Sequence, residues 1–310
     1  MKKISWVLPV ALLLAACQDR EYAPRDRYPG PAGGWGQSGT GDGEFHEPRG
    51  ISAAAGGYVY VADTDNDRVQ YFTAGGSFVG AWGRRGSATG EFSSPYGVAA
   101  APSGNIYVVD NRNARVQYFT PNGSFLGTWG SYGSGPGEFG RPAGVAVAPN
   151  GTVYVTDPGY RASRVQYFTA TGSFLGMWGQ HGTLPGEFLD PLGVAVGADG
   201  TVYVADFDQR NVQRFTAAGE YLGRWGVSGN GDGEFNCPWG VAVGPAGNVF
   251  VADFGNNRIQ IFTPTGSFLG KWGKHGNETG EFSGPAGIAV NPAGTIYVCE
   301  AGNDRVQYFE

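Results

Sequence analysis

The chain has 310 residues, a formal net charge of −6, 14% aromatic residues, three histidines and three cysteines. An acidic chain without a basic run is excluded from binding along a phosphate backbone, so no nucleic-acid partner is expected. Its 55 glycines and 19 prolines approach the level of low-complexity sequence, but they recur at a fixed period among aromatics, which points to a folded repeat domain.

The chain opens MKKISWVLPVALLLAAC, two lysines followed by an apolar run from Ile4 to Ala16. That run is too short to cross a hydrocarbon core about 30 Å thick as a stable helix, and it reads as a secretory signal over residues 1–16. Its end, Leu14-Ala15-Ala16-Cys17, resembles a bacterial lipobox. The resemblance implies that Cys17 is diacylated, becomes the new N-terminus and anchors the chain to a membrane. The next residue is Gln18, not the aspartate that some diderms use for inner-membrane retention. The expected address is therefore the extracytoplasmic side of a bacterial cell envelope, on the outer membrane where there is one. QDREYAPRDRYPGP follows, charged and proline-rich without an apolar period, and reads as a tether over residues 17–31. Loss of Lys2 and Lys3 with the signal takes the formal charge to −8 and leaves only Lys271 and Lys274 beside seventeen arginines.

Beyond the tether the chain repeats. Trp35, Trp82, Trp129, Trp178, Trp225 and Trp272 lie 47, 47, 49, 47 and 47 residues apart, a period that marks a repeat architecture. Each unit runs W-G, a glycine-rich loop, G-E-F, P-x-G-V-A-V, a turn, x-V-Y-V-A-D, a polar loop, R-V-Q-Y-F-T, a second turn and S-F-L-G. The apolar runs are short, β-branched and aromatic, and bounded by Gly, Pro and Asn, which makes them four strands per unit. Four-stranded sheets repeated radially predict an all-β chain, a six-bladed β-propeller of antiparallel blades. The last unit stops at Phe309-Glu310 after its third strand, while a fragment at about residues 32 to 36 aligns with a spare fourth strand. The ring is expected to close as an N-terminal strand completes the last blade, giving a monomeric domain over residues 32–310. Pro29 and Pro31 limit ladder pairing upstream of that strand.

The phrases P-x-G-[VI]-A-V, G-x-[VI]-[YF]-V-A-D and R-[VI]-Q-x-F, in register from about residue 33 to the end, resemble the NHL repeat family. The resemblance implies the same propeller and leaves the function open. Propellers of that family bind proteins, bind RNA, sense at cell surfaces or, in one branch, act as a zinc-dependent amidating lyase. Its large ubiquitin-ligase members carry separate zinc-binding modules, which two spare cysteines and three histidines cannot make. No phrase here carries over the lyase's zinc, tyrosine or arginine positions. A catalytic zinc needs about three converging ligands and an open position, and no H-E-x-x-H is present. No G-x-S-x-G leads from a strand into a helix either. No cofactor is expected.

One phrase, VADTDNDRVQYF, spaces Asp63, Asp65 and Asp67 like the opening of an EF-hand loop. That loop needs Gly at its sixth position and a carboxylate at its twelfth, where this chain has Arg68 and Ala74. Only the first acid and, in most units, the arginine recur. The acids Asp63, Asp110, Asp157, Asp206, Asp253 and Glu300 end second strands, where a carboxylate can accept backbone N–H groups across a turn. Arg68, Arg115, Arg164, Arg258 and Arg305 start third strands within reach. Asp63–Arg68, Asp110–Arg115, Asp157–Arg164 and Asp253–Arg258 thus read as structural ion pairs, because what every copy shares serves the blade. Unit four departs, with Arg210-Asn211 in reversed order. The Glu of each G-E-F, from Glu44 to Glu281, is expected to fix its loop to a neighbouring blade, and the six tryptophans to seal blade against blade.

A ligand smaller than the ring must touch positions where the copies disagree. The x of P-x-G reads Arg49, Tyr96, Ala143, Leu192, Trp239, Ala286, and the residue before each Pro reads Glu47, Ser94, Arg141, Asp190, Cys237, Gly284. Units three apart face one another, which sets Tyr96 opposite Trp239 and Glu47 opposite Asp190. Aromatic platforms beside charged groups suit a peptide segment or a sugar. The alternative is that Tyr96 and Trp239 merely plug the central channel. The candidate ligand-binding set is Arg49, Tyr96, Trp239, Glu47, Arg141 and Asp190, in a non-catalytic module that takes a protein, peptide or glycan at its loop-rich face. A metal-dependent lyase or hydrolase with its site in the mouth is the other reading. Cys237 and Cys299 could bridge neighbouring blades only if their alpha carbons come within about 7 Å.

Overall fold

A computed structural model describes residues 30–159 and 162–310. The signal segment, Cys17 and the tether up to residue 29 lie outside the described residues. Blade 1 stacks β2 (Pro48–Ala53), β3 (Tyr58–Asp63), β4 (Arg68–Thr73) and β5 (Phe78–Trp82) in that order from the axis outward. Blade 2 follows with β6 (Pro95–Ala100), β7 (Ile106–Asp110), β8 (Arg115–Phe119) and β9 (Phe125–Trp129), and blade 3 with β10 (Val145–Val147), β11 (Val153–Asp157), β12 (Arg164–Phe168) and β13 (Phe174–Trp178). Blade 4 holds β14 (Pro191–Val196), β15 (Val202–Asp206), β16 (Asn211–Phe215) and β17 (Tyr221–Trp225). Blade 5 holds β18 (Pro238–Val243), β19 (Val249–Asp253), β20 (Arg258–Phe262) and β21 (Phe268–Trp272). Blade 6 takes β22 (Pro285–Val290), β23 (Ile296–Glu300) and β24 (Arg305–Phe309) from the C-terminus and β1 (Pro31–Trp35) from the N-terminus. All pairs are antiparallel, and the ring closes as Trp35 sits opposite Val306 and Gly34 opposite Gln307. Pro31 already belongs to this ladder, opposite Phe309, one residue earlier than the expected boundary. A proline is tolerated there because it is the first residue of an outer strand.

The glycine of P-x-G is set by packing around the axis. A Cβ on Gly50 would stand 2.2 Å from the carbonyl oxygen of Tyr96 in the next blade, one on Gly193 2.3 Å from that of Trp239, and one on Gly287 2.5 Å from that of Arg49, which completes the circle. The innermost strands abut backbone to backbone, so the residue just before each glycine decides what stands over the channel.

Between blades the sheets are sealed by aromatics. Trp82 lies 5.6 Å from Phe119 of the next blade and about as close to Tyr60 and Tyr71 of its own, and the other five repeat tryptophans take the equivalent place. The Phe of G-E-F is fully buried in every unit, from Phe45 to Phe282, and truncating such a side chain typically costs about 3–5 kcal/mol.

The repeated acid is the hub that ties the loop-rich face together. Asp253, fully buried, accepts from Asn236 N at 2.8 Å, Asn256 Nδ2 at 2.9 Å, Arg258 Nε at 2.7 Å and Gln260 Nε2 at 3.1 Å. Arg258 then donates to the carbonyls of Gly231 and Glu234, so one guanidinium pins the incoming loop to the blade. Asp63, Asp110, Asp157 and Glu300 hold Arg68, Arg115, Arg164 and Arg305 in the same way. Burial pushes Asp253 up in pKa while Asn256, the Asn236 N–H and Arg258 pull it down, the balance expected of a buried ion pair. In blade 4 Gln209, in the position of Asn256, takes over the asparagine's carbonyl and one of the arginine's. Its Nε2 donates to the carbonyls of Gly182 and Glu187 at 2.9 and 2.8 Å, while Arg210 turns out to Ser228.

One expectation changes, and the pairing of Cys237 and Cys299 left open by the sequence is decided. The G-E-F glutamate does not reach a neighbouring blade with its carboxylate, because Glu44 accepts from Gly41 N at 2.9 Å and Gln37 Nε2 at 2.8 Å within its own loop. It is the glutamate's main-chain carbonyl that receives the arginine and glutamine of the blade. Cys237 and Cys299 are both free thiols. Cys299 is fully buried in a slot held by alanine in three other units and accepts weakly from Gly287 N at 3.3 Å.

Candidate functional site

The loops from second to third strands and those between blades share one face, since Asp65 N donates to the carbonyl of His46 and Gly255 N to that of Asn236. At the centre of this face Tyr96 and Trp239, three blades apart, bring their ring centroids within 6.3 Å. Arg49 caps both, its guanidinium carbon 4.8 Å from the Tyr96 ring and 4.9 Å from the Trp239 ring, a cation over two aromatic faces. Glu47 holds Arg49 through an ion pair. This group covers a central channel of only ≈70 Å³ lined by the inner strands. It also divides the mouth into two cavities, so Glu47 and Asp190 end on opposite sides of a bar rather than facing each other across open space.

The first cavity, ≈240 Å³, is lined by Tyr96, Asn111, Arg141, Ala143, Pro158, Asp190, Leu192, Phe207 and Trp239. The second, ≈490 Å³, is walled by Glu47, Arg49, Trp239, Phe254 and His275 over a floor of small residues, Gly284, Ala301 and Gly302 among them. Trp239 serves both and is braced by Phe254 at 5.2 Å and Phe207 at 5.6 Å.

The asymmetry has a local cause. The last residue of each second-to-third-strand loop takes a left-handed φ, and at Asp67, Asn257 and Asp304 its side chain accepts the N–H of the pre-proline residue of the next blade, Ser94, Gly284 and Glu47, at 2.7–2.9 Å. The clipped pre-proline residues are themselves left-handed, Glu47 at φ 49° and Ser94 at φ 52°. Before blades 3 and 4 the loop residue is Ala114 or Ser163. Alanine has no acceptor, and the Ser163 hydroxyl turns to the carbonyl of Leu189. The N–H groups of Arg141 and Asp190 instead bond their own blades' acids, Asp157 and Asp206, each at 3.0 Å, whereas Cys237, which follows Arg210, is left-handed without such a clip. Neither Arg141 nor Asp190 is left-handed, and both side chains line the first cavity.

Sequence similarity bears on the fold. A family model described as NHL repeat matches residues 92–119, 139–168, 235–262 and 282–309. The chain carries NHL repeats. No curated protein matches it in sequence. Among solved structures, this NHL propeller is similar to a virginiamycin B lyase from Staphylococcus aureus at 16% identity and TM-score 0.61, over 88% of this chain and 86% of that one. It is similar to a gluconolactonase from Xanthomonas campestris at 14% identity and TM-score 0.63, over 93% and 99%. A Bacteroides thetaiotaomicron protein of unknown function matches at 18% identity and TM-score 0.67, over 90% and 76%. At such identities the likeness is one of fold.

Within the NHL propeller's mouth, Asp190 has the most perturbed carboxyl. Burial and then the negative charges of Asp208 and Asp206 push it up to about 7, against the pull of Arg141. No described residue donates a hydrogen bond or ion pair to the carboxylate of Asp190 or shares the guanidinium of Arg141. Asn111, buried, donates to the carbonyl of Pro142 at 2.8 Å and leaves its Oδ1 without a partner among the described residues. Among the described residues no three of His, Cys, Asp and Glu come together to hold a metal ion. His181 and His275 take one loop position, shared by Ser38, Arg85, Tyr132 and Ser228 in the other units. Phe207, Phe254 and Asn111 are mouth residues that the sequence reasoning missed. They occupy the position after the second-strand acid, where the copies read Thr64, Asn111, Pro158, Phe207, Phe254 and Ala301. The same disagreement between copies that singled out Tyr96 and Trp239 marks them.

Proposed function

We propose that this NHL propeller is a non-catalytic binding module whose loop-rich mouth holds a peptide segment or a sugar, displayed on the cell envelope through lipid on Cys17. The observation that carries the reading is a contrast in satisfaction. Around the ring the repeated acids and arginines are consumed in blade clamps, whereas the mouth gathers Tyr96, Trp239, Phe207 and Phe254 beside two charged head groups with no ion-pair partner among the described residues. Aromatic platforms with a few unsatisfied polar groups are what a small binding site requires. The test is binding of the soluble domain, Cys17 removed, to peptide and glycan arrays, wild type against Trp239→Ala. The reading expects ligands that the variant loses while its melting temperature stays within a few degrees. A variant that melts far lower, or keeps every ligand, shows Trp239 to be a plug.

A second reading is enzymatic, a lyase or hydrolase with its site in the same mouth. It is favoured by Asp190, whose carboxyl near 7 is poised for acid–base chemistry, and by two of the similar structures being a lyase and a gluconolactonase. With no convergent metal ligands among the described residues, the acid–base form is the one these side chains support. It predicts a turnover that follows one ionisation near pH 7 and disappears in Asp190→Asn.

A further inference from the structure

Resting on the reading of the mouth as a binding site, we propose that the cavity beside blade 3 takes a small zwitterion with the charge layout of a free α-amino acid, its side chain aromatic or branched and apolar. Asp190 and Arg141 line the same cavity, and neither forms an ion pair with the other or with any described residue. By contrast, Glu47 and Arg49 across the bar are paired. A ligand presenting an ammonium to Asp190 and a carboxylate to Arg141 would satisfy both charges at once. Asp206 and Asp208 beside Asp190 repel an anion at that end and so fix the orientation. Apart from Asn111 the remaining wall is mainly apolar, with Leu192, Phe207 and Trp239 placed to receive a side chain.

Size and chemistry narrow the class. At ≈240 Å³ the cavity lies below the roughly 300–1,000 Å³ of sites for drug-sized ligands, so it suits one residue-sized unit. A neutral sugar would desolvate two charges without neutralising either, which is costly in a partly buried site.

The test is calorimetric titration of the soluble domain near pH 8 with L-phenylalanine and L-leucine, and with N-acetyl-L-phenylalanine, L-phenylalaninamide and N-acetylglucosamine as comparators. The free amino acids should bind, and each capped form should bind at least about tenfold more weakly, a difference of about 1.4 kcal/mol. Asp190→Asn should erase the penalty for the acetyl cap, and Arg141→Gln the penalty for the amide. Two variants with opposite selectivity cannot both be explained by misfolding. Equal binding of free and capped forms, binding of the sugar in place of the amino acids, or no binding of free amino acids up to about 10 mM overturns the zwitterion assignment. The mouth reading fails separately, if array ligands prove independent of Trp239.

Discussion

Replacing Asp190 by asparagine should stabilise the propeller at high pH and leave it nearly unchanged at low pH. Asp190 ionises at about 7 in the fold against 3.8 for an unperturbed aspartate. Between those values the folded chain keeps a proton that the unfolded chain has released. Stability therefore falls as pH rises from about 4 to about 7, and above that the full penalty of a partly buried carboxylate with no ion-pair partner among the described residues is present. At about 1.4 kcal/mol per pH unit the span corresponds to at most about 4 kcal/mol. The carboxylate borders an open cavity where solvent screens it, so a gain on the order of 2 kcal/mol is expected for the variant. For a domain of this length that is a rise of roughly 3–4 °C in melting temperature at pH 8, shrinking toward zero only below about pH 4. The assay is urea and thermal unfolding of both proteins at half-unit pH steps, read as the difference between them, which cancels the shared contribution of the buried clamp acids. A constant difference across the series, or a variant weaker than wild type at pH 8, would refute the account of Asp190 as an unsatisfied charge.

Three shorter predictions concern the frame. Asp253→Ala strands Arg258, which is 7% exposed, and should cost about 3–5 kcal/mol by denaturant unfolding; a loss below 1 kcal/mol would show that the clamp is incidental. Deleting residues 30–36 removes β1 and exposes the edge of β24, so the truncated protein should melt lower and associate through that edge, as sedimentation would detect. With Cys17 replaced, thiol titration should find two free groups in the unfolded protein. In the folded protein Cys237 should react first, because Cys299 is fully buried and its thiol is pushed up to about 12 by burial.

The frame was legible because it repeats. Period, strand composition and the shared acid and arginine give blade number, strand order and ring closure, since each copy solves one packing problem and six solutions agree. Tyr96, Trp239 and Arg49 were legible for the opposite reason, as disagreements at a position that the neighbouring glycine forces over the channel. What one copy could not reveal was how the mouth is divided. It goes with whether Asp67, Ala114, Ser163 or Asn257 accepts an N–H from the next blade, a contact between residues 27 positions apart, and the two charged side chains share a cavity where that contact is missing. The part of the arginine's task that Gln209 takes in blade 4 was hidden likewise, because a glutamine two residues early reaches one of the same carbonyls, that of Glu187, by a different path.

The central claim is that the mouth, rather than the rim, is the working surface. The domain from residue 30 onward has seven tryptophans, six at blade interfaces and Trp239 alone in the mouth. Labelling with 5-fluorotryptophan gives seven fluorine resonances, with that of Trp239 assigned by Trp239→Phe. Titration with the peptide, amino-acid and sugar ligands should move the Trp239 resonance in a saturable way and leave the other six in place. A ligand that shifts interface tryptophans while Trp239 stays fixed would contradict the account and move the site to the rim.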